Sequence, residues 1–107
     1  MTATTRVGIV GCGVIAKVYA EKLQASSFID LVACADIEPE RARAFAQAQN
    51  IPCALAVAAL LDDAAIDVVV NLTIPQAHLA VSRAAVDAGK SVYSEKPLAL
   101  TVAEARD

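Results

Sequence analysis

The residues best suited to chemistry near the start of the chain are small ones, in the pattern Gly-x-Gly-x-x-Ala. Gly11 permits a tight turn after a short apolar run, Gly13 leaves a pyrophosphate room to approach, and Ala16 lets a helix pack closely on a strand. The N-terminus of that helix would present N–H groups and a positive dipole end to phosphates. The pattern predicts a dinucleotide site, with cofactor contacts from Gly11, Cys12, Gly13, Val14 and Ile15.

An acidic residue lies where the adenosine ribose of such a ligand is expected. The apolar run Ile29–Ala35 ends at Asp36, whose carboxylate would accept hydrogen bonds from the ribose hydroxyls and repel a 2′-phosphate. Ile37, the next residue, is predicted to contact the cofactor as well. Arg41 favours the opposite outcome, since an arginine accommodates that phosphate. NAD is therefore expected in preference to NADP, and the alternative is that Asp36 only ends a strand.

A third group follows the apolar run Ile66–Leu72. Ligands of open parallel sheets bind beyond the carboxyl ends of the strands, so the residues predicted to reach the cofactor here are Asn71, Leu72, Thr73, Pro75 and His78. His78 is the single histidine of the chain. One histidine marks neither a metal site nor an acid–base pair, and a structural hydrogen bond in the first turn of a helix explains it equally well.

A fourth group, Glu95-Lys96-Pro97, follows the short predicted strand Ser91–Ser94. An ammonium at Lys96 could stand over a substrate hydroxyl or carbonyl and assist proton transfer, which makes Lys96 the candidate catalytic residue. From spacing alone, a solvated pair of surface charges is the stronger explanation.

Strands alternate with helices along the chain, which predicts a doubly wound parallel α/β sheet, the Rossmann fold. The predicted strands are Val7–Val10, Ile29–Ala35, Cys53–Ala56, Ile66–Leu72 and Ser91–Ser94. The predicted helices run from Val14 to Gln24, from Glu38-Pro39 to Gln49, from Val57 to Leu61 and from Pro75 or Gln76 to Ala88. A capping box at Thr101–Glu104 opens a further helix that stops at Asp107. We therefore expect residues 1–107 to be a dinucleotide-binding domain that is truncated before its last strand.

Composition excludes several function classes. With 107 residues, a net charge of −3, no basic run and 4% aromatic residues, the chain is not expected to bind nucleic acid. It has no apolar stretch near the roughly 20 residues of a membrane span. The three cysteines are an odd number without CxxC spacing, which fits neither a disulfide scaffold nor a zinc site. These features favour a reducing, cytoplasmic setting and predict no bound metal.

Taken together, the chain resembles the N-terminal domain of the Gfo/Idh/MocA oxidoreductases, the family of glucose–fructose oxidoreductase and inositol 2-dehydrogenase. Three blocks carry the resemblance: Gly11–Ala16, Asn71–His78, and Ala88–Ala99 with its Glu-Lys-Pro signature. Family members usually have Thr-Pro where this chain has Thr73-Ile74, but the spacing from Thr73 to His78 is kept.

The resemblance implies hydride transfer between NAD(P) and a sugar, polyol or related secondary alcohol or ketone. It places Lys96 near the nicotinamide and the reacting oxygen, Glu95 in support of its loop, and Asn71, Thr73 and Pro75 along the cofactor cleft. Cofactor contacts from Glu95 and Lys96 are expected on this basis. It also implies a further catalytic Asp and His from a C-terminal domain that binds substrate and forms a homo-oligomer. That domain is not in this sequence, so the 107 residues alone are expected to be inactive. Two alternatives are a non-catalytic NAD-sensing module and a fragment that binds nothing.

Overall fold

Nine helices and strands alternate in the computed structural model of the chain, which describes residues 4–73 and 75–94. The strands are β1 (Thr5–Val10), β2 (Ile29–Ala35), β3 (Cys53–Leu55), β4 (Val68–Asn71) and β5 (Ser91–Ser94). The helices are α1 (Val14–Gln24), α2 (Pro39–Gln49), α3 (Val57–Asp62) and α4 (Pro75–Asp87). The described elements confirm the predicted alternation.

The five strands form one parallel sheet in the order β3-β2-β1-β4-β5. The chain builds outward from β1 in one direction through β2 and β3, then returns to the other side of β1 to form β4 and β5. The direction of winding therefore reverses between β1 and β4, which is where open α/β sheets bind ligands. This order confirms the predicted doubly wound architecture.

Each face of the sheet has its own core. Successive side chains of a strand point to opposite faces, so Val70 of β4 packs in one cluster and Val69 in the other. The first cluster lies under α1 and α2 and includes Ala16, Ala20 and Phe45. The second lies under α3 and α4. Strands buried on both faces need continuous apolar sequence, which is why β2 contains so little alternation.

Helix ends follow local sequence signals. Glu38 occupies the N-cap of α2 and Pro39 its first position, as predicted. Asn50, with φ of 59°, adopts the left-handed conformation that ends α2. Gly89 has φ of 86° and donates its N–H to Val86 O at 2.9 Å, which closes α4.

The predicted bounds of β4 were too long. The strand covers Val68–Asn71 instead of Ile66–Leu72, because the residues before it serve other contacts. The N–H of Ile66 donates to Asp63 O at 3.1 Å, within the turn that precedes the strand. Small differences also occur at β3, which ends at Leu55, and at α3 and α4, which end at Asp62 and Asp87.

A buried lysine fixes the loop that leads into β4. Lys90 is only 7% exposed, and its ammonium donates to the carbonyl oxygens of Asp63 at 2.5 Å and Ile66 at 3.0 Å. This contact ties the start of β5 to the start of β4, at the amino edge of the sheet. Sequence analysis did not predict this contact, since a Gly-Lys pair after a helix ordinarily places the lysine in solvent.

Across the described ranges, no helix combines the length and the hydropathy that a membrane span needs. The predicted Glu95-Lys96-Pro97 loop and the helix predicted from Thr101 lie outside the described residues.

Candidate functional site

The first glycine of the Gly-x-Gly-x-x-Ala segment is required by contact between two loops. Gly11 has φ of 99°, and a Cβ added there would lie 2.7 Å from the carbonyl carbon of Leu72 and 2.9 Å from the backbone nitrogen of Thr73. Its N–H donates to Ala35 O at 2.8 Å. The loop after β1 is therefore wedged between the end of β2 and the loop after β4, and any larger residue would force these backbones apart.

The second glycine leaves open space. Gly13 is exposed, and no described atom lies within 4 Å of the position that its Cβ would take. It is the N-cap of α1; in this described part of the chain no side chain caps the helix, and its first turn has no acidic residue. The positive end of the helix is thus available to an anion.

The third small residue has the packing role that was predicted for it. Ala16 is fully buried, and its N–H donates to Gly13 O at 3.1 Å, so the first turn of α1 lies directly on the sheet. Ile15, beside it, is 41% exposed at the mouth of the loop. Of Val14, only the backbone is described.

Asp36 bridges two loops. It is 6% exposed, and its Oδ2 accepts the N–H of Cys12 at 2.8 Å while Oδ1 accepts the N–H of Glu38 at 2.9 Å. Arg41 approaches Oδ1 at 3.8 Å, with its side chain half exposed. A carboxylate has about four acceptor positions, so these backbone contacts orient Asp36 without exhausting its capacity. The sequence predicted a ligand contact here but did not indicate this structural bridge.

Cys12 contributes its backbone to this bridge, while its thiol faces the core. The sulfur lies 3.4 Å from Ala35 O. The hydrogen bond with Cys34, burial and the negative charge of Asp36 raise the pKa of the Cys12 thiol above its usual range. The thiol therefore stays protonated, which agrees with its buried position.

Beyond Asp36 the surface becomes apolar. Ile37 is 75% exposed, which is high for an isoleucine next to a buried strand end. Its exposure at the same edge as the glycine loop places an apolar side chain beside the carboxylate.

Polar groups at the end of β4 face the same edge. Asn71 is fully buried, and its Oδ1 accepts the N–H of Thr73 at 3.2 Å and the hydroxyl of Thr73 at 2.6 Å. Its Nδ2 donates to Ser82 Oγ of α4 at 2.9 Å. Ser82 was not among the predicted site residues, because a single serine within a helical pattern carries no distinguishing signal.

Most of the predicted contacts thus meet at one edge of the sheet. The loop after β1, the end of β2 and the end of β4 bring together residues 11–15, Asp36, Ile37, Asn71, Leu72 and Thr73. Pro75 and His78 lie in the first turn of α4, where their backbone is described and their side chains are not. Glu95 and Lys96 lie outside the described residues, so the candidate catalytic lysine stays a prediction.

Comparison with known proteins agrees with this architecture. The profile of a family described as an oxidoreductase family with an NAD-binding Rossmann fold matches residues 5–107. An inositol 2-dehydrogenase of Acidothermus cellulolyticus is 36% identical over 107 residues, which cover 94% of this chain and 30% of that protein. The chain therefore spans about a third of the length of such relatives.

Two solved structures show both nicotinamide cofactors on this fold. A myo-inositol dehydrogenase from Lactobacillus casei, in complex with NAD(H) and myo-inositol, has a TM-score of 0.81 at 28% identity, over 89% of this chain and 29% of that one. A biliverdin reductase from Synechocystis, in complex with biliverdin and NADP+, has a TM-score of 0.80 at 38% identity, over 92% of this chain and 31% of that one.

Proposed function

The chain belongs to the Gfo/Idh/MocA oxidoreductase family, with its NAD-binding Rossmann fold, and on that premise we propose a specific role for it. It is the nicotinamide-dinucleotide-binding part of an enzyme that moves a hydride between the cofactor and a sugar, polyol or related secondary alcohol or ketone. The relatives named above are dehydrogenases and reductases, which favours this role over a non-catalytic sensor.

One observation carries the proposal: the open space over Gly13, flanked by a fixed carboxylate. A pyrophosphate placed above Gly13 meets the uncompensated N-terminus of α1. Asp36, held by two backbone N–H groups, keeps acceptor capacity for the hydroxyls of the adenosine ribose. Ile37 offers an apolar surface to the adenine ring. On the other side of β1, Thr73 and the first turn of α4 line the path of the nicotinamide half.

NAD is the proposed cofactor in preference to NADP. The Asp36 carboxylate is buried and oriented by Cys12 and Glu38, so a 2′-phosphate would meet a fixed negative charge that cannot rotate away. Among the described residues, Arg41 is the cation that contacts Asp36 and would attract the phosphate, but it is half exposed and 3.8 Å from the carboxylate. Because relatives bind either cofactor, this preference is a proposal about the balance between Asp36 and Arg41.

The chemical step is proposed to involve Lys96. When bound, the nicotinamide ring supplies the hydride acceptor or donor. Lys96, one residue into the Glu-Lys-Pro sequence that follows β5, would hold the substrate oxygen by its ammonium and take part in the accompanying proton transfer. The remaining acid–base groups and the substrate pocket are proposed to lie in the part of such enzymes that the chain does not span.

Two further properties are proposed on the same basis. The longer enzyme would form a homo-oligomer through that second part. It would act in the cytoplasm, since all three cysteines, each within the described ranges, are free thiols and a reducing compartment keeps them so.

The proposal is tested by titrating the chain with NAD and NADP before and after substitution of Asp36. Asp36→Ala removes charge-assisted hydrogen bonds worth about 1.5–3 kcal/mol, so NAD affinity should fall by about tenfold or more. Because Asp36 also bridges two loops, Asp36→Asn serves as the second variant: it keeps one acceptor oxygen and removes the charge. Asp36→Asn should weaken NAD binding and reduce the ratio of NAD affinity to NADP affinity.

Asp30→Asn is the matched control. Asp30 is exposed and lies near the amino end of β2, the strand that Asp36 follows, so neither affinity should change. Unaltered NAD binding in both Asp36 variants would refute the ribose contact. Polyol turnover by the 107-residue chain itself would refute the proposal that its catalytic groups are divided between two parts.

A further inference from the structure

A three-residue hydrogen-bond chain fixes the polar group at the end of β4. Ser82 Oγ accepts from Asn71 Nδ2 at 2.9 Å, and Asn71 Oδ1 accepts from the backbone N–H of Thr73 at 3.2 Å. The N–H of Thr73 can only donate, so it requires the oxygen of the amide on its side. The Asn71 amide therefore has one favoured orientation, with its NH2 directed to Ser82 on α4.

This orientation determines what the Thr73 hydroxyl can do. Thr73 Oγ1 lies 2.6 Å from Asn71 Oδ1, and a carbonyl oxygen only accepts, so the hydroxyl proton is committed to Asn71. The lone pairs of Thr73 Oγ1 remain for another group. Thr73 is partly exposed, and its backbone borders Gly11 of the phosphate loop. The hydroxyl therefore stands at the site as a hydrogen-bond acceptor and not as a donor.

The sheet order indicates which half of the ligand meets it. Asp36 directly follows β2 on one side of β1, and Thr73 follows β4 on the other side. With the adenosine ribose at Asp36 and the pyrophosphate at the loop after β1, the nicotinamide riboside extends over β4. That half carries hydrogen-bond donors of two kinds, the ribose hydroxyls and the carboxamide NH2.

We propose that Ser82, acting through Asn71, is a positioning residue that holds the Thr73 hydroxyl as the acceptor for a donor on the nicotinamide riboside half of the cofactor. The inference rests on the proposed function, since it presupposes a dinucleotide at this edge. It adds a residue of α4 to the site and gives the Thr73 contact a direction.

The test compares three ligands and three variants by calorimetric titration. NAD carries both kinds of donor, ADP-ribose keeps the terminal ribose but lacks the carboxamide, and ADP lacks both. Thr73→Val removes the acceptor and should weaken NAD binding by about 3- to 10-fold, the range for one neutral hydrogen bond. Ser82→Ala should weaken NAD binding by about 2- to 5-fold, because Asn71 then loses the hydrogen bond that its Nδ2 donates to α4. Thr73→Ser keeps the hydroxyl and should restore NAD affinity to within about 2-fold of the unaltered chain.

Ser26→Ala is the matched control for Ser82→Ala. Ser26 Oγ also accepts a hydrogen bond, from the N–H of Phe28 at 3.2 Å, but at the amino edge of the sheet. It should leave all three affinities unchanged. Ser82→Ala is expected to fold, since alanine is favourable in a helix, and thermal unfolding of each variant verifies this.

The pattern across ligands decides the inference. A loss confined to NAD assigns the donor to the carboxamide, and a loss shared by NAD and ADP-ribose assigns it to the ribose; either supports the proposal. An equal loss for ADP, or no loss for any ligand, overturns it while leaving the proposed function intact. If the unaltered chain binds none of the three, the proposed function fails and this inference with it.

Discussion

Two buried charges hold loops at opposite edges of the same sheet. At the amino edge, the ammonium of Lys90 donates to two carbonyl oxygens of the single loop that precedes β4. At the carboxyl edge, the carboxylate of Asp36 accepts N–H groups from two different loops, after β1 and after β2. The two residues are almost equally buried, at 7% and 6% exposure.

The difference between them lies in what surrounds the charge. Lys90 closes a connection between neighbouring strands. Asp36 lies close to the exposed Gly13 and to the N-terminus of α1. No described atom lies within 4 Å of the position that a Cβ on Gly13 would take. A buried ionised group is therefore no sign of function in itself. The carboxyl edge is the candidate site because loops from both sides of the winding reversal meet there and leave a space.

The largest expected effects are at Gly11, where a substitution should lower stability, and at Gly13, where it should lower NAD affinity. Gly11→Ala places a Cβ within 2.8 Å of Leu72 O at a φ of 99°. Backbone strain and the clash should together lower the free energy of unfolding by roughly 3 kcal/mol or more, as measured by urea denaturation.

Gly13→Ala is the counterpart at the same edge. None of the described atoms lies within 4 Å of the Cβ position of Gly13, and its φ is −83°. The substitution should therefore change the free energy of unfolding by no more than about 1 kcal/mol. NAD affinity should nevertheless fall clearly, because the methyl group occupies the space proposed for the pyrophosphate. Equal stability losses in the two variants would show that Gly13 is also structural and would weaken the comparison.

At the amino edge, a substitution of Lys90 is expected to lower stability by a smaller amount and to leave NAD affinity unchanged. Lys90→Met removes the two hydrogen bonds that the ammonium donates to the carbonyl oxygens of Asp63 and Ile66. The free energy of unfolding should therefore fall by about 2–3 kcal/mol. The dissociation constant for NAD should stay the same. Lys22→Met, at an exposed position in the last turn of α1, should cost less than about 1 kcal/mol. A change in NAD affinity in the Lys90 variant that is absent from the Lys22 variant would show that the two edges are coupled.

The sequence predicted the fold where the signals are local. The bounds of α1 and β2 agree with the structure because local residues mark their ends: the small-residue turn before α1, Ser26-Ser27 after it, and the apolar run of β2 that stops at Asp36. The predicted start of β4 did not agree, because Ile66 is held in the turn before the strand by Asp63 and by Lys90, 24 positions later in the chain. Such a contact depends on which strands become neighbours, and this information is not contained in a seven-residue window.

The candidate site divides in the same way. The types of Gly11, Gly13 and Asp36 are tied to the phosphate and ribose chemistry, so the sequence identified them as candidates. The bridging role of Asp36 and the presence of Ser82 emerge only when separate elements come together. Ser82 is an ordinary helical residue until α4 packs beside β4.

Substitution of Arg41 is expected to have the smallest effect on stability and the most selective effect on NADP affinity relative to NAD affinity. Its guanidinium is half exposed and 3.8 Å from Asp36, so Arg41→Ala should change the free energy of unfolding by less than about 1 kcal/mol. If Arg41 is the group that attracts a 2′-phosphate, NADP affinity should fall several-fold while NAD affinity stays constant. Arg43→Ala is the matched control, since Arg43 lies on the same helix, is 64% exposed in its side chain and pairs with Glu40. Equal losses for NAD and NADP in the Arg41 variant would instead assign Arg41 to holding Asp36, and the carboxyl edge would then contain, like the amino edge, a cation with a structural role.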